Sequence, residues 1–354
     1  SEKLRPTLYD FLVFRALEFY QSEESELTLP SYQFEINDAM AFASSDQFVN
    51  HKFTTPDSLS KKFIALLLFQ DVLRFHAKDQ DPAASIDADI LRIRFVHDFS
   101  VHPDKNKMYI DALKRIYQTY PKVPEAAMAR FYHAETFAQG GSYLGRKAYM
   151  NGINQESQLN YLEAHKMASE IIQAFPNTEA SYQAQILIAQ IESQILQLQM
   201  EKVILPQKPA LVFVNYRNVS RFYYKVVALS HEDYKKYRQY YYEHSAELAG
   251  RKAYRNETVD LFVTADYKTH STEIKLDGLP VGSYLIVSSV DPEFSKKAMT
   301  SFSFIQVTNM TFLSTPKIEQ QAKGIWVLHR ESGQPMPGVT VKFWKNEYNY
   351  KTYK

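Results

Sequence analysis

The chain has 354 residues, 45% of them hydrophobic, and a formal net charge of +1. That length suggests two or three domains with real cores, and the balanced charge leaves no electrostatic footprint for nucleic acid. There is no cysteine, which excludes disulfides, thiolate metal sites, cysteine nucleophiles and a thioester within these residues; nor is there an apolar run of the ~18 residues a membrane helix needs.

Residues 1–202 read as helical. The opening stretch SEKLRPTLYDF lacks the apolar core of a signal peptide. Residues 8–20 place Leu8, Phe11, Leu12, Phe14 and Phe19 near three-to-four spacing, as the apolar face of a helix. Thr55 is the expected N-cap of the next helix, with Pro56 at its first position. Helices are expected at 90–99, 107–119, 124–138, 161–175 and 179–201.

Two of these segments repeat. Gln118-Thr119-Tyr120-Pro121 aligns with Gln173-Ala174-Phe175-Pro176, Ala129 with Ala184, and Ala134 with Ala189. Each copy reads as a helix, an aromatic–Pro stop and a second helix with small residues on one face. Proline ends the first helix by removing a donor, and the alanines let the pair approach closely. Residues 66–95 form a weaker third copy. The pattern resembles the tetratricopeptide repeat, a helical hairpin of about 34 residues. Here the array is irregular, because residues 140–160 separate the copies. Such an array offers either a concave peptide-binding face or a rigid spacer.

After Lys202 the period changes to two. Short β-branched and aromatic segments such as ALVFVNYRNV, RFYYKVVAL, TVDLFVTA, STEIKLDGL, GSYLIVSSV and SFSFIQVTNMTFLS are separated by turn residues. Leu276 is expected to point inward, with Gly278 and residues 280–282 turning the chain. Six or seven strands in about 110 residues suggest a sandwich. A helix-like insertion at 230–250 interrupts it, with Tyr234, Tyr237 and Tyr241 at helical spacing, expected on the sandwich edge. Residues 317–354 then restart, with a strand at 324–329, a turn at Ser332-Gly333 and Gly338 opening the next strand. This reads as the unfinished start of a second sandwich. Its apolar Trp326, Val339, Val341 and Phe343 are expected to be poorly covered or to borrow a neighbouring domain. The expected architecture is therefore α+β and multidomain: a helical hairpin array (1–202), an immunoglobulin-like or macroglobulin-like sandwich (203–316) and a truncated second sandwich (317–354).

Three stretches, RPTLYDFLVFRALEFY, the pair ALVFVNYRNVSRFYYKVVAL with HSTEIKLDGLPVGSYLIVSS, and VLHRESGQPMPGVTVKFW, together resemble the N-terminal part of bacterial alpha-2-macroglobulin-like proteins of the Bacteroidetes type. The resemblance covers most of the chain, and its motifs describe fold rather than chemistry. It implies a segment of a broad protease trap in the periplasm or outer-membrane-associated envelope. It further implies that more sandwiches follow Lys354, and that bait and any thioester lie downstream. With no cysteine present, no thioester residue carries over. Its implied partners are proteases or envelope proteins, through the whole molecule.

The remaining chemistry is sparse. Ser58 and Lys61 match S-x-x-K, but the K-T-G and S-D-N companions are missing, so a solvated helix start is the simpler reading. His97, Asp98, His102 and Asp104 offer imidazole and carboxylate ligands, yet their uneven spacing around Pro103 suits a helix end. His133 and Glu135 lie two apart on a helix and share no face. Tyr234, Tyr237, Arg238 and Tyr241 interleave aromatics and cations, and form the expected protein-contact set. No catalytic, cofactor or metal residue is expected, and the chain is not read as an enzyme. The competing reading is a peptide- or glycan-binding surface module of an unrelated envelope protein.

Overall fold

A computed structural model of the chain describes residues 3–22, 31–139, 160–295, 298–314 and 324–342. The chain is α+β, helices first and sheets after. It divides into two compact units, Ser1–Ser193 with Ala265–Lys268, and Gln194–Thr264 with Thr269–Lys354.

The first unit contains α1 (Leu8–Gln21), a 3-10 turn (Ala39–Phe42), α2 (Ser45–Asn50), α3 (Lys61–His76), α4 (Ala83–Phe99), α5 (Lys105–Thr119), α6 (Ala126–Gln139), α7 (Tyr161–Ala174) and α8 (Glu179–Glu192). α3 packs on α4, α5 on α6, and α7 on α8, giving three helical hairpins. The repeat is visible in its stops. Tyr120 leaves α5 at φ -121, ψ 58, and Phe175 leaves α7 at φ -133, ψ 57. Their N–H groups donate to the carbonyls of Ile116 and Ile171 respectively. A proline follows each and cannot continue the ladder. Ala129, Ala134 and Ala184 are buried, whereas Ala189 is exposed, so the copies diverge in the second half of the second helix.

Most of the hydrophobic face expected for α1 points the other way, and of its five residues only the half-buried Phe14 packs against the core. Asp10, Val13 and Leu17 are buried, while Leu8, Phe11, Leu12 and Phe19 are exposed. A polar anchor sets this rotation. Asp10 closes a capping box with Thr7, and its other oxygen lies 2.7 Å from Nε2 of the buried His76. Nδ1 of His76 lies 2.6 Å from Asp79. The ring thus lies between two carboxylates. Turning α1 to bury Phe11 and Phe19 would strip Asp10 of these partners, and an orphaned buried carboxylate costs more than an exposed aromatic.

α3 starts at Lys61, not at Pro56. Ser60 caps it by accepting from the Phe63 N–H, while Thr55 accepts from the Asp57 N–H in the preceding turn. A second buried charge organises the segment before α2. Arg92, fully buried, pairs with Asp89 and donates to the carbonyls of Ala41 (2.6 Å) and Ala43 (2.9 Å). Arg115 donates to the carbonyl between them, that of Phe42 (2.6 Å). Three successive carbonyls leaving the 3-10 turn are thus satisfied by guanidinium groups, and Arg92 also lies 4.3 Å from the Phe48 ring centroid.

The second unit contains β1 (Ile195–Met200), β2 (Val203–Ile204), β3 (Ala210–Arg217), β4 (Arg221–Leu229), α9 (His231–Tyr240), α10 (Ser245–Gly250), β5 (Arg255–Asp260), β6 (His270–Leu276), β7 (Gly282–Ser289), β8 (Thr300–Val307), β9 (Met310–Ser314) and β10 (Ile325–His329). The sheets run β1-β3-β6, β2-β8-β7-β4-β5 and β10-β9. Pairing is antiparallel except for β2 beside β8. Val212, Val214 and Tyr216 of the first sheet share one core with Phe222, Val226 and Ile286 of the second, which makes these two sheets a sandwich.

Residues 195–200, expected to extend the last helix, form β1 instead. Their sequence ILQLQM alternates: Leu196 joins the core and Gln197 and Gln199 face out. A short apolar run fits either period, and pairing with β3 decides it. β5 lies at 255–260, before most of the expected 258–265, and Phe262 and Val263 just beyond it are exposed. Leu276 points inward as expected. A Cβ at Gly278 would sit 2.5 Å from the Gln207 backbone carbonyl carbon, so no larger residue fits where the chain passes.

Two measurements check the helical unit. Arg92→Met leaves Asp89 and two carbonyls unpaired, and should cost about 3–5 kcal/mol by urea unfolding; a loss under about 1 kcal/mol would show that the turn is held otherwise. Acid should also weaken this unit. Burial pushes the His133 imidazole down to about 4, helped by Lys114 and Arg130. Burial raises Asp10, but hydrogen bonds from His76 and Thr7 outweigh it and hold the carboxyl below its ordinary value. In both cases the unfolded chain takes up its proton at higher pH than the folded chain, so stability falls on acidification. The His133 part is lost from 6.5 down through about 4, and the Asp10 part below the ordinary carboxylate range. His133→Phe should flatten the upper part of a pH series of melting curves.

Candidate functional site

β4 and β7 are apolar on both faces. Phe222, Tyr224, Val226, Tyr284 and Ile286 point into the sandwich, while Val227, Leu229, Leu285 and Val287 point outward. A strand pair buried on both faces needs a cover. The insertion supplies it: Tyr234, Tyr237 and Leu248 close a second core over those four outward side chains. Ser230 caps α9 by accepting from the Asp233 N–H.

Arg251 locks the insertion. It donates to Asp233 (2.9 Å) and to the Tyr237 hydroxyl (3.1 Å), and Tyr237 in turn donates to Glu247. Arg251 holds the Asp233 carboxyl below its usual range. Lys225, on the outward face of β4, donates to the carbonyl of Ala249 at the end of α10 and lies 4.5 Å from the Phe294 ring centroid. Burial lowers its pKa.

The four residues expected to contact a partner are therefore divided. Tyr234 and Tyr237 are buried in the unit's own core, on the face of the five-stranded sheet rather than its edge. Arg238 is exposed, with its guanidinium 5.9 Å from the Tyr234 ring centroid. Tyr241 is half-buried, 6.0 Å from Phe302 and 6.2 Å from Phe304.

β9 and β10 form a sheet of two strands, paired from Met310 with His329 to Ser314 with Ile325. The chain then turns through Gly333 (φ +70) and runs back, with the Met336 N–H donating to the Val327 carbonyl. Gly338 (φ +74) opens no strand; it sits in a turn, and residues 339–342 are irregular. Phe343 lies outside the described residues. Along the ribbon Phe312 is 65%, Leu313 60% and Trp326 60% exposed. A groove of about 760 Å3 beside it is lined by Val281, Val307, Met310, Phe312, Val327 and Val341, among others.

Several of the remaining sequence candidates make local contacts. Lys61 donates to the Ser22 carbonyl, 4.9 Å from the Phe19 ring centroid, and the cap of α3 is Ser60 rather than Ser58. His97 is buried and its Nε2 lies 2.9 Å from the Asn106 side-chain oxygen. His102 accepts from the Asp104 N–H through Nδ1. His133 Nδ1 lies 3.1 Å from the Tyr117 hydroxyl. Among the described residues, no group of three or more His, Asp or Glu is placed to hold a metal ion. No helix among them is long and apolar enough to cross a membrane.

Arg251→Met should free the insertion while sparing the sandwich core. The expected loss is about 1–2 kcal/mol, with new protease cleavage within residues 231–250. Unchanged protease resistance would show that the tyrosines alone hold the cover.

No protein-family model matches this chain, and no curated protein matches it. Among solved structures, the CARDB domain of the PF1109 protein of Pyrococcus furiosus, in complex with di-metal ions, is similar at 16% identity over 32% of this chain and 92% of that one. The TM-score is 0.20, too low to establish a shared fold.

Proposed function

We propose that this chain is a non-catalytic interaction segment of an alpha-2-macroglobulin-like protease inhibitor of the bacterial cell envelope. In this reading, tetratricopeptide-like hairpins precede a macroglobulin-type sandwich, and the ribbon β9–β10 docks on a further β-sandwich domain. The observation that carries it is the ribbon. A two-stranded sheet is marginal in water, and this one exposes apolar side chains on both faces: the cross-strand pair Leu313 and Trp326 on one, and Phe312, beside Val327 at the groove, on the other. Exposed apolar surface of this kind marks an interaction site. A β-domain suits it, because side chains on facing sheets interdigitate. The matched aromatic–Pro stops of α5 and α7 support the repeat reading.

A photo-crosslinking residue in place of Trp326, in the protein made by its own cells, should capture a macroglobulin-type β-domain. Adducts confined to unrelated proteins, or none, would overturn the docking role. If the natural molecule neither slows nor retains proteases such as trypsin, the inhibitor reading fails whatever the ribbon contacts.

A further inference from the structure

The helices of the first unit pack in a row. α1 lies on α3, α3 on α4, α4 on α5, α5 on α6, and α6 on α7 and α8. Hairpins account for α3 to α8, so α1 stands at one end of the row as a single helix. The core claims one side of it, through Asp10, Val13 and Leu17. At 3.6 residues per turn, Leu8, Phe11, Leu12, Arg15 and Phe19 project within an arc of about 100° on the opposite side. The four apolar members are 55–73% exposed. A helix that is apolar on its core side and again on its outer side has the pattern of an element covered from both. The end helix of an array keeps it soluble by turning a polar face outward, and α1 does the reverse.

Charge on this stripe is balanced within it. Arg15 donates to Glu18 (2.7 Å) and lies 5.6 Å from the Phe11 ring centroid. The stripe therefore has no net charge with which to select a partner of opposite sign, and a stripe of the same composition suits it. At roughly 200 Å2 for a large side chain, the four apolar residues leave about 500 Å2 uncovered. Two copies face to face bury about 1,000 Å2 of apolar surface, and since apolar atoms make up about 60% of an interface, the whole contact comes to about 1,600 Å2, the standard size for a specific pair.

We infer that α1 pairs with α1 of a second copy of this chain, antiparallel about a two-fold axis beside Leu12. A closed two-fold contact is the commonest form of self-association, and opposed helix macrodipoles favour the antiparallel sense. Leu8 and Phe19 lie at the two ends of the stripe, so this packing sets Leu8 against the partner's Phe19 and brings the two Leu12 side chains together near the axis. The inference does not depend on the role proposed for the ribbon or on the inhibitor reading.

The chain has no cysteine, so introduced thiols report the geometry directly. Sedimentation of the whole chain between about 1 and 100 μM should show monomer passing into dimer. Leu12→Glu should raise the dimer Kd about tenfold or more and leave the melting temperature of the dilute monomer unchanged, because the side chain is exposed. Under mild oxidation Leu12→Cys should form disulfide-linked dimers by itself. Leu8→Cys and Phe19→Cys should link to each other when mixed, and far less when each is alone. A chain that stays monomeric at about 100 μM, a dimer that survives Leu12→Glu, or linking of Leu8→Cys to itself in preference to Phe19→Cys would each overturn the proposal. So would a monomer in which the Leu12→Cys thiol resists maleimide, since the chain would then cover its own stripe.

Discussion

The second unit is organised around a strand pair that cannot face water on either side. β4 and β7 carry apolar side chains inward and outward, so a sandwich alone leaves half of their surface wet. The helical insertion meets that requirement, and its tyrosines are spent on it. The same cover shapes a cavity lined in part by Gln197, Gln199 and Tyr242, because the chain leaving α9 must turn past Tyr241 and Tyr242 before α10. Lys225 fits this scheme as well. A lysine on the covered face loses hydration, and the Ala249 carbonyl and the Phe294 ring replace part of it. Its ammonium is thereby committed to structure.

In the first unit, buried charge does what apolar burial does in the second. Arg92 gathers carbonyls at the end of a 3-10 turn, and Asp10 with His76 sets the face of α1. Such groups specify one arrangement sharply, since any other leaves a charge without partners. Leu8, Phe11 and Leu12 stay exposed as a result. Where a buried carboxylate and an apolar stripe compete for one face of a helix, the carboxylate wins because its desolvation is the larger cost.

Much of the architecture was legible in the sequence. The aromatic–Pro stops, the change of period after the helices and the inward Leu276 all follow from local chemistry. The misplacements have physical reasons. Gln-Leu-Gln-Leu spacing suits a helix or a strand, and only pairing with β3 selects the strand. The rotation of α1 depends on His76, distant in sequence and invisible to any window. The spacing of Tyr234 and Tyr237 shows that they share a helix face but not what covers it, so it fits packing on a sandwich edge, a contact surface or the sheet face on which they lie. A signal did exist: RFYYKVVAL and YLIVSS are apolar without alternation, the mark of strands buried on both sides. That Gln197, Gln199 and Tyr242 line one cavity had no such signal, since they come from elements far apart in the chain.

The matched stops of α5 and α7 bear on how the molecule forms. Each hairpin ends its first helix with its own carbonyl and its own proline, so its closure uses only neighbouring residues. The sandwich is the opposite case: Val203 pairs with Gln306, and β1 reaches β6 only through β3. Local closure is fast and distant closure slow. During synthesis the hairpins fold while the sandwich still waits for β8, and for that interval Phe222, Val226 and their neighbours are exposed to whatever else the chain meets.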